Sequence, residues 1–334
     1  MLPTLILKKP PPLDPAWLAH ERTANLLAPK PITTDPTERQ RVYSETCKAR
    51  NISLLSNQDK DLNDGIFIQD SFIEAPDGNH SIPIRCYRPH NTNDSKNTII
   101  YYHGGGLTVG DLDSEDLSCR RISKTLHCTV YSPAYRLMPQ HHASDALADA
   151  VTAFNHISQK QKQNPQLANK KLVLAGSSSG GQLAAQVSQL ARKSNDKPGE
   201  KIDGVLLRCP VTCDAANLPA GFNRDAHVSM DRAFYTSLLS APALTAENRT
   251  VEKLPLEEED LGGLPRHWVQ VCTNDVYYSD GVCYAEALRG QGVDVRVDVV
   301  VGWPHTFWLK APRLERAVEA ERDMVEGLRW LLEG

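Results

Sequence analysis

The sequence lacks the features that mark nucleic-acid-binding and membrane-spanning proteins. Its 37 basic and 41 acidic side chains give a formal net charge of -4, and they form no long run of like charges. Such a chain offers no positive field for phosphate backbones, so we expect no nucleic-acid partner. It also has no apolar stretch near the roughly 18 residues that cross a bilayer, so we expect no membrane span.

Zinc-binding and disulfide patterns are absent as well. The eight cysteines are scattered, without a Cys-x-x-Cys pair and without a cysteine and histidine cluster at zinc spacing. Reduced thiols in a cytoplasmic protein fit this distribution best. The first residues carry only a short apolar stretch, interrupted by Pro3, and no leading positive region. We therefore expect no signal peptide and a cytoplasmic location.

Apolar runs and helix-length segments alternate over most of the chain. Short β-branched runs between polar turns predict strands at residues 66–73, 82–87, 98–102 and 128–132. Further apolar runs alternate with amphipathic segments of helical length and predict strands at residues 172–175, 204–209, 267–272 and 295–301. This alternation predicts an α/β fold with a mostly parallel central sheet that is flanked by helices.

Two segments break this rhythm. Residues 1–62 have a Pro-rich start and then predict two helices, at about residues 15–27 and 35–49. The second begins at Asp35-Pro36, an N-cap followed by proline. Residues 213–264 are rich in Ala, Glu and Leu and contain no strand-like run. We predict an N-terminal helical cap or arm over residues 1–62. The main domain would cover residues 63–334 and include a helical insertion at about 213–264.

The strongest chemical signal is an apolar strand that runs into Gly176-Ser177-Ser178-Ser179-Gly180 and then into a helix-forming sequence. A nucleophile elbow needs small residues two before and two after its serine, because the strand turns abruptly into the helix. Ser178 is therefore the candidate nucleophile. A phosphate loop is the alternative, but this segment lacks the Lys-Ser or Lys-Thr ending of a P-loop and the Gly-x-Gly-x-x-Gly of a dinucleotide site.

A second glycine motif, His103-Gly104-Gly105-Gly106, directly follows a predicted strand and precedes Ser178 in the chain. Bare backbone amides in such a loop can approach a substrate carbonyl oxygen, as in oxyanion loops of the HGGG type. These loops act together with the amide of the residue after the nucleophile. Gly105, Gly106 and Ser179 are therefore the candidate oxyanion-hole donors, and a flexible glycine turn is the alternative.

An acid and a base should follow the nucleophile in the order Ser, Asp or Glu, His. Asp275 comes just after the predicted strand 267–272, and His305 comes just after the predicted strand 295–301. Both therefore lie at carboxyl ends of strands, where an α/β sheet places its functional side chains. His305 is the histidine whose position and order best suit the base.

Together these motifs resemble the hormone-sensitive lipase family of α/β-hydrolases, the HGGG carboxylesterases, over residues 66–332. The run Tyr135-Arg136-Leu137-Met138-Pro139-Gln140-His141 is similar to the family's Y-R-L-A-P-E-H block, and Asp149 follows in the next predicted helix. The family's acid motif precedes G-x-x-Y-A. The stretch Gly281-Val282-Cys283-Tyr284-Ala285 sets a register in which Asp275, rather than Asp280, takes the place of the catalytic acid.

The resemblance implies an α/β-hydrolase fold with a helical cap over the serine. It implies a serine hydrolase in which Ser178 attacks an ester, His305 takes the serine proton and Asp275 orients the imidazole, with no metal or organic cofactor. A cap favours short-chain or compact esters as small-molecule substrates.

Departures from the family's pattern, such as Gln140 in place of the glutamate of the Y-R-L-A-P-E-H block, suggest a specialised substrate. The register places Leu107, Tyr277, Tyr278 and Trp308 near the substrate pocket. The H-T-F-W sequence at His305 is similar to members that serve fungal specialised metabolism, which points to a natural-product ester or lactone.

Several alternatives stay open at this stage. The same triad could serve acyl transfer to another alcohol, amide or lactone opening, or another biosynthetic step. A non-catalytic small-molecule receptor is a further alternative, as in the gibberellin receptors, which resemble this family but lack the histidine, so the presence of His305 argues against it. The natural substrate, the stereochemical preference and the oligomeric state, monomer or homodimer, are also open.

Overall fold

The computed structural model describes residues 5, 7, 9–28, 35–76, 78–90, 97–165, 167, 170–193, 201–213 and 253–333. Their strands form one sheet in the order β1-β2-β4-β3-β5-β6-β7-β8. The strands are β1 Ile66–Glu74, β2 Ser81–Pro89, β3 Thr98–Tyr102, β4 Thr129–Pro133, β5 Leu172–Ser177, β6 Gly204–Arg208, β7 Arg266–Asn274 and β8 Val295–Pro304. Strand β2 pairs antiparallel with β1 and β4, and the pairs from β4 across to β8 are parallel. The predicted mostly parallel sheet is confirmed.

Helices flank this sheet and connect its strands. The α-helices of the described residues are α1 Pro15–Thr23, α2 Pro36–Leu55, α3 Asp116–Leu126, α4 Ala143–Gln163, α5 Ser179–Lys193, α6 Tyr278–Gly290, α7 Phe307–Lys310 and α8 Glu315–Glu333. The predicted start of the second helix at Asp35-Pro36 is confirmed, because the Asp35 side chain accepts a 2.9 Å hydrogen bond from Thr37 N. None of these helices combines the length and apolarity that a bilayer crossing needs.

Two hydrophobic layers cover the two faces of the sheet. Successive side chains of a strand point to opposite faces, so Ile100 and Leu174 join the cluster that includes α4 and α5. Ile99 and Val173, their neighbours in sequence, join the cluster with α3 and α8. Strands β3 and β5 are buried along their whole length. Because both faces are covered, these strands are continuous apolar runs without a polar alternation.

A third cluster lies where β6, β7 and β8 end, and it includes Trp17 of α1 together with Trp303 and Phe307. The Trp17 and Trp303 rings meet edge to face with their centroids 6.1 Å apart. Just before α1, Asp14 N donates a 2.9 Å hydrogen bond to Gly302 O. The start of the chain is thus anchored at the carboxyl edge of the sheet. Of the predicted insertion at 213–264, residues 214–252 lie outside the described residues.

Candidate active site

Ser178 occupies the tight turn between β5 and α5. Its φ of +53° is in the left-handed region, which costs a residue with a side chain about 1–2 kcal/mol. A Cβ on Gly176 would lie 2.2 Å from Gly180 O, and a Cβ on Gly180 would lie 2.0 Å from Tyr102 O. Neither position has room for a side chain. The two glycines therefore let the strand turn into the helix with Ser178 at the apex.

A single imidazole joins the candidate nucleophile to the candidate acid. His305 Nε2 lies 2.9 Å from Ser178 Oγ, and His305 Nδ1 lies 2.7 Å from Asp275 Oδ2. Asp275 Oδ1 accepts a 2.9 Å hydrogen bond from Tyr277 N, which fixes the carboxylate. The alternative acid, Asp280, instead accepts a 2.8 Å hydrogen bond from Thr212 N. The structure thus brings together the three residues predicted from their order and strand positions.

The electrostatics of this group favour a positively charged imidazole. Burial disfavours the imidazolium, but the neighbouring Asp275 carboxylate outweighs burial and raises the pKa of His305. The Asp275 side chain has no exposed surface, while 20% of the His305 side chain is exposed. A proton taken from Ser178 would therefore be stabilised on His305 by a carboxylate that water does not reach.

The HGGG loop lies directly beside Ser178. A Cβ on Gly104 would be 3.4 Å from Ser178 Cβ, and a Cβ on Gly105 would be only 1.9 Å from Val109 O. Gly105 and Gly106 have φ of +133° and +62°, conformations that suit glycine. Within the described part of the chain, neither of their amides donates a hydrogen bond. Both remain available to an acceptor in the site.

The hydroxyl of Ser179 ties the two halves of the candidate oxyanion hole together. Ser179 Oγ accepts a 3.3 Å hydrogen bond from Leu107 N, the amide that follows the glycine run. The Ser179 backbone amide stands at the start of α5, next to Ser178. One residue therefore contributes an amide beside the nucleophile and holds the glycine loop against it.

Two side chains that sequence reasoning did not assign support the HGGG loop. Tyr135 donates a 2.6 Å hydrogen bond from its hydroxyl to His103 O, and its ring stacks on the His103 ring with the centroids 4.2 Å apart. Gln40 of α2 donates a 3.0 Å hydrogen bond to Thr108 O. Tyr135 lies within the Y-R-L block and could have been found from it. Gln40 carries no signal in the sequence.

The four residues predicted near the pocket have different surroundings. The Tyr277 ring lies 5.1 Å from the His305 ring, and Leu107 is buried beside Ser179. Tyr278 instead donates a 2.7 Å hydrogen bond from its hydroxyl to Leu5 O. The Trp308 ring lies under the Arg208 guanidinium, whose carbon is 3.8 Å from the ring centroid. Substrate contact by these four residues stays a prediction.

A buried polar network lies beneath the elbow. The Ser177 hydroxyl donates a hydrogen bond to the carboxyl group of Glu115. Burial raises the pKa of Glu115 to about 7, although the Ser177 hydroxyl and the Arg208 charge act in the opposite direction. Arg208 is fully buried and pairs with Glu321 at 2.7 Å. Sequence patterns gave no signal for this network, because its members are far apart in the chain.

Comparison with known proteins places the chain in a family. A family profile described as the alpha/beta hydrolase fold matches residues 99–309. Esterase LipI of Mycobacterium tuberculosis is 31% identical over 272 residues, which cover 80% of this chain and 83% of that protein. Carboxylesterase NlhH of the same organism is 32% identical over 229 residues, covering 66% and 69%. The chain belongs to the hormone-sensitive lipase-like carboxylesterase family of the α/β-hydrolase fold.

The fold of this carboxylesterase is similar to that of solved esterases. A thermostable esterase from Pseudomonas putida ECU1011 superposes with a TM-score of 0.77 at 24% identity, covering 97% of this chain and 99% of that one. This similarity confirms the predicted α/β-hydrolase fold, and the family profile and the sequence relatives confirm the predicted family and carboxylesterase-type hydrolase.

Proposed function

We propose that this carboxylesterase hydrolyses esters with a short-chain or compact acyl group through a Ser178-His305-Asp275 triad. The observation that carries the proposal is the position of one imidazole, 2.9 Å from Ser178 Oγ and 2.7 Å from Asp275 Oδ2. Nucleophile, base and orienting acid need this hydrogen-bonded order for acyl transfer.

The reaction proceeds in two halves. Ser178 Oγ attacks the ester carbonyl while His305 Nε2 takes the hydroxyl proton, and the tetrahedral intermediate collapses as His305 returns that proton to the leaving alcohol. Water then attacks the acyl-enzyme with His305 again as base, which releases the carboxylic acid and restores Ser178. Asp275 stabilises the imidazolium in both halves. All of these steps use side chains and water.

The amides of Gly105, Gly106 and Ser179 would bind the oxyanion. The positive φ of both glycines and the hydrogen bond from Leu107 N to Ser179 Oγ support this assignment. Removing one donor of such a hole typically costs about 3 kcal/mol of transition-state stabilisation. The glycine loop should therefore matter nearly as much as the base.

The proposed limit on acyl size depends on the surroundings of the acid loop. Asn274 donates a 2.8 Å hydrogen bond to Pro11 O, and Tyr278 donates one to Leu5 O, so the start of the chain is held against this loop. Tyr277 adds a ring beside His305. We propose that the predicted helical cap, formed by residues 1–62 and about 213–264, restricts the acyl pocket and excludes water.

Hydrolysis of a p-nitrophenyl ester series from acetate to decanoate tests the proposal. The wild type should turn over the short esters fastest, and Ser178→Ala and His305→Ala should each lose nearly all turnover while keeping the wild-type circular dichroism spectrum. Ser188→Ala is the matched control. Ser188 is a buried serine like Ser178, but it lies on α5 and has no role in the mechanism. It should retain activity.

Two results would contradict the proposal. Full activity in folded Ser178→Ala would remove the serine from its role. Absence of turnover by folded wild type on every ester would favour the receptor or a different use of the triad.

A further inference from the structure

Two thiols lie at the floor of the proposed active site. Cys209 directly follows β6 and Cys272 lies on β7, and their Sγ atoms are 3.4 Å apart. Both are free and fully buried. Cys209 has φ +47°, and its amide donates a 2.8 Å hydrogen bond to Gln270 O. A non-glycine residue in this conformation is uncommon and tends to occur at functional sites.

The Cys209 thiol also meets the proposed catalytic pair. One ligand atom from each of Cys209, Asp275 and His305 lies within 4.8 Å of the other two. Zinc binds sulfur, imidazole nitrogen and carboxylate oxygen at about 2.0–2.3 Å. Small side-chain movements would therefore let all three atoms reach one ion.

We propose that Cys209, His305 and Asp275 form an inhibitory site for a thiophilic divalent cation such as Zn²⁺ or Cd²⁺, with Cys272 as a neighbouring sulfur donor. The cation would bind in place of catalysis and would not take part in it. Binding of the cation does not depend on the proposed function, but its inhibitory effect rests on that function. Soft cations are favoured because thiolate is a soft ligand.

Coordination would disable the histidine, because the cation replaces the thiol proton of Cys209 and occupies a ring nitrogen of His305. The Cys209 thiol loses its proton to solvent, and a ring nitrogen of His305 gives its lone pair to the ion, with no change in oxidation state. An ion on Nε2 prevents acceptance of the Ser178 proton. An ion on Nδ1 displaces the hydrogen bond to Asp275. Either arrangement stops acyl transfer, and a chelator reverses it.

Two properties follow from the burial of this site. The buried Cys209 thiol must lose its proton to bind the cation, so binding should tighten as pH rises. The described residues leave His305 as the exposed member of the group, with 20% of its side chain accessible against 0% for Asp275. The cation would enter past His305, and inhibition should develop slowly.

Titration of the full chain with Cd²⁺ alone, in buffer without thiols or chelators, tests the binding. A saturable cadmium–thiolate charge-transfer absorption at one equivalent is expected for the wild type and for Cys86→Ser. Cys86 is the matched control because it is a half-buried free thiol on β2, far across the sheet. Cys209→Ser and Cys209→Ala should each lose the absorption. Its absence from the wild type, or its persistence in a folded Cys209 variant, would overturn the proposal.

A second arm measures the consequence for catalysis. After incubation with ZnCl₂, hydrolysis of p-nitrophenyl butyrate by the wild type should fall with time and recover with EDTA. The zinc concentration for half inhibition should rise at least tenfold in Cys209→Ser and stay unchanged in Cys86→Ser. Equal inhibition of Cys209→Ser would overturn the proposal. If the wild type hydrolyses no ester, the proposed function fails, and the Cd²⁺ titration alone decides the metal site.

Discussion

The three consecutive serines at the elbow have different partners. Ser177 donates to Glu115, Ser178 lies 2.9 Å from His305 Nε2, and Ser179 Oγ accepts from Leu107 N. A hydroxyl is a weak nucleophile until an adjacent base takes its proton. Ser178 has an imidazole as partner and also occupies the apex of the turn with φ +53°, so both its partner and its backbone position mark it as the candidate nucleophile.

Asp275→Asn should lower kcat/KM by about 10⁴-fold, because the imidazole loses its orienting carboxylate. It should also move the acidic limb of the pH profile. Asp275 raises the pKa of His305, and the neutral imidazole is the base, so the wild type loses activity as pH falls below that raised pKa. Without the carboxylate, this loss should occur at lower pH.

The profile of kcat/KM against pH for p-nitrophenyl butyrate measures both effects of Asp275→Asn. Asp280→Asn is the control, since Asp280 is equally buried but contacts Thr212. It should leave the acidic limb in place. An unshifted limb in Asp275→Asn would show that this carboxylate does not set the pKa of His305.

The residues of the proposed triad could be predicted from the sequence because chain order and strand ends constrain them. The sequence did not predict the partners that depend on packing between distant segments. The packing of the Trp308 ring on Arg208 of β6 is one such contact. Glu115 and Ser177 are 62 residues apart, and no spacing rule relates them.

At the scale of elements, strands were predicted more accurately than helices. The predicted strand 98–102 coincides with β3, since both faces are covered and the run is continuously apolar. Helix α2, predicted to end at residue 49, continues to Leu55. Its last turns are held by a polar contact, the 2.7 Å hydrogen bond from Asn51 Nδ2 to Asp113 O, which an apolar pattern does not reveal.

Helix α3 was not predicted, and several of its packing contacts are ionic. Arg120 pairs with Asp116 at 2.7 Å, and Arg121 pairs with Glu321 of α8 at 2.6 Å. Glu115, the residue just before α3, adds the buried contact to Ser177. This helix is therefore joined to β5 through a carboxyl group.

Glu115→Gln should change how the free energy of unfolding depends on pH. Burial raises the pKa of Glu115 from 4.5 to about 7, so between these values the folded chain holds a proton that the unfolded chain has lost. The Glu115 contribution to the free energy of unfolding should then fall with rising pH, by up to about 3 kcal/mol, and level off above pH 7. The glutamine variant keeps a hydrogen-bonding group and has no such loss.

Urea unfolding at a series of pH values measures this difference. The stability of Glu115→Gln relative to the wild type should rise between pH 4.5 and 7. Glu326→Gln, a change on the outer face of α8, is the control and should give a constant difference. A constant difference for Glu115→Gln as well would contradict the raised pKa.

At the scale of the whole molecule, the site is an assembly of strand ends. His305 is 127 residues from Ser178 and 30 residues from Asp275, yet all three follow parallel strands whose carboxyl ends share one edge. That topology made the site predictable. The division into a cap and a main domain stays a prediction, because residues 214–252 lie outside the described ranges.

The central claim is that Ser178 alone forms the covalent bond with the acyl group. The most direct measurement is peptide mapping by mass spectrometry after treatment with diethyl p-nitrophenyl phosphate, which phosphorylates an activated serine and releases p-nitrophenolate. We predict one diethylphosphoryl group, on Ser178, and none in folded Ser178→Ala. A label on Ser177 or Ser179, or no label on folded wild type, would contradict the account.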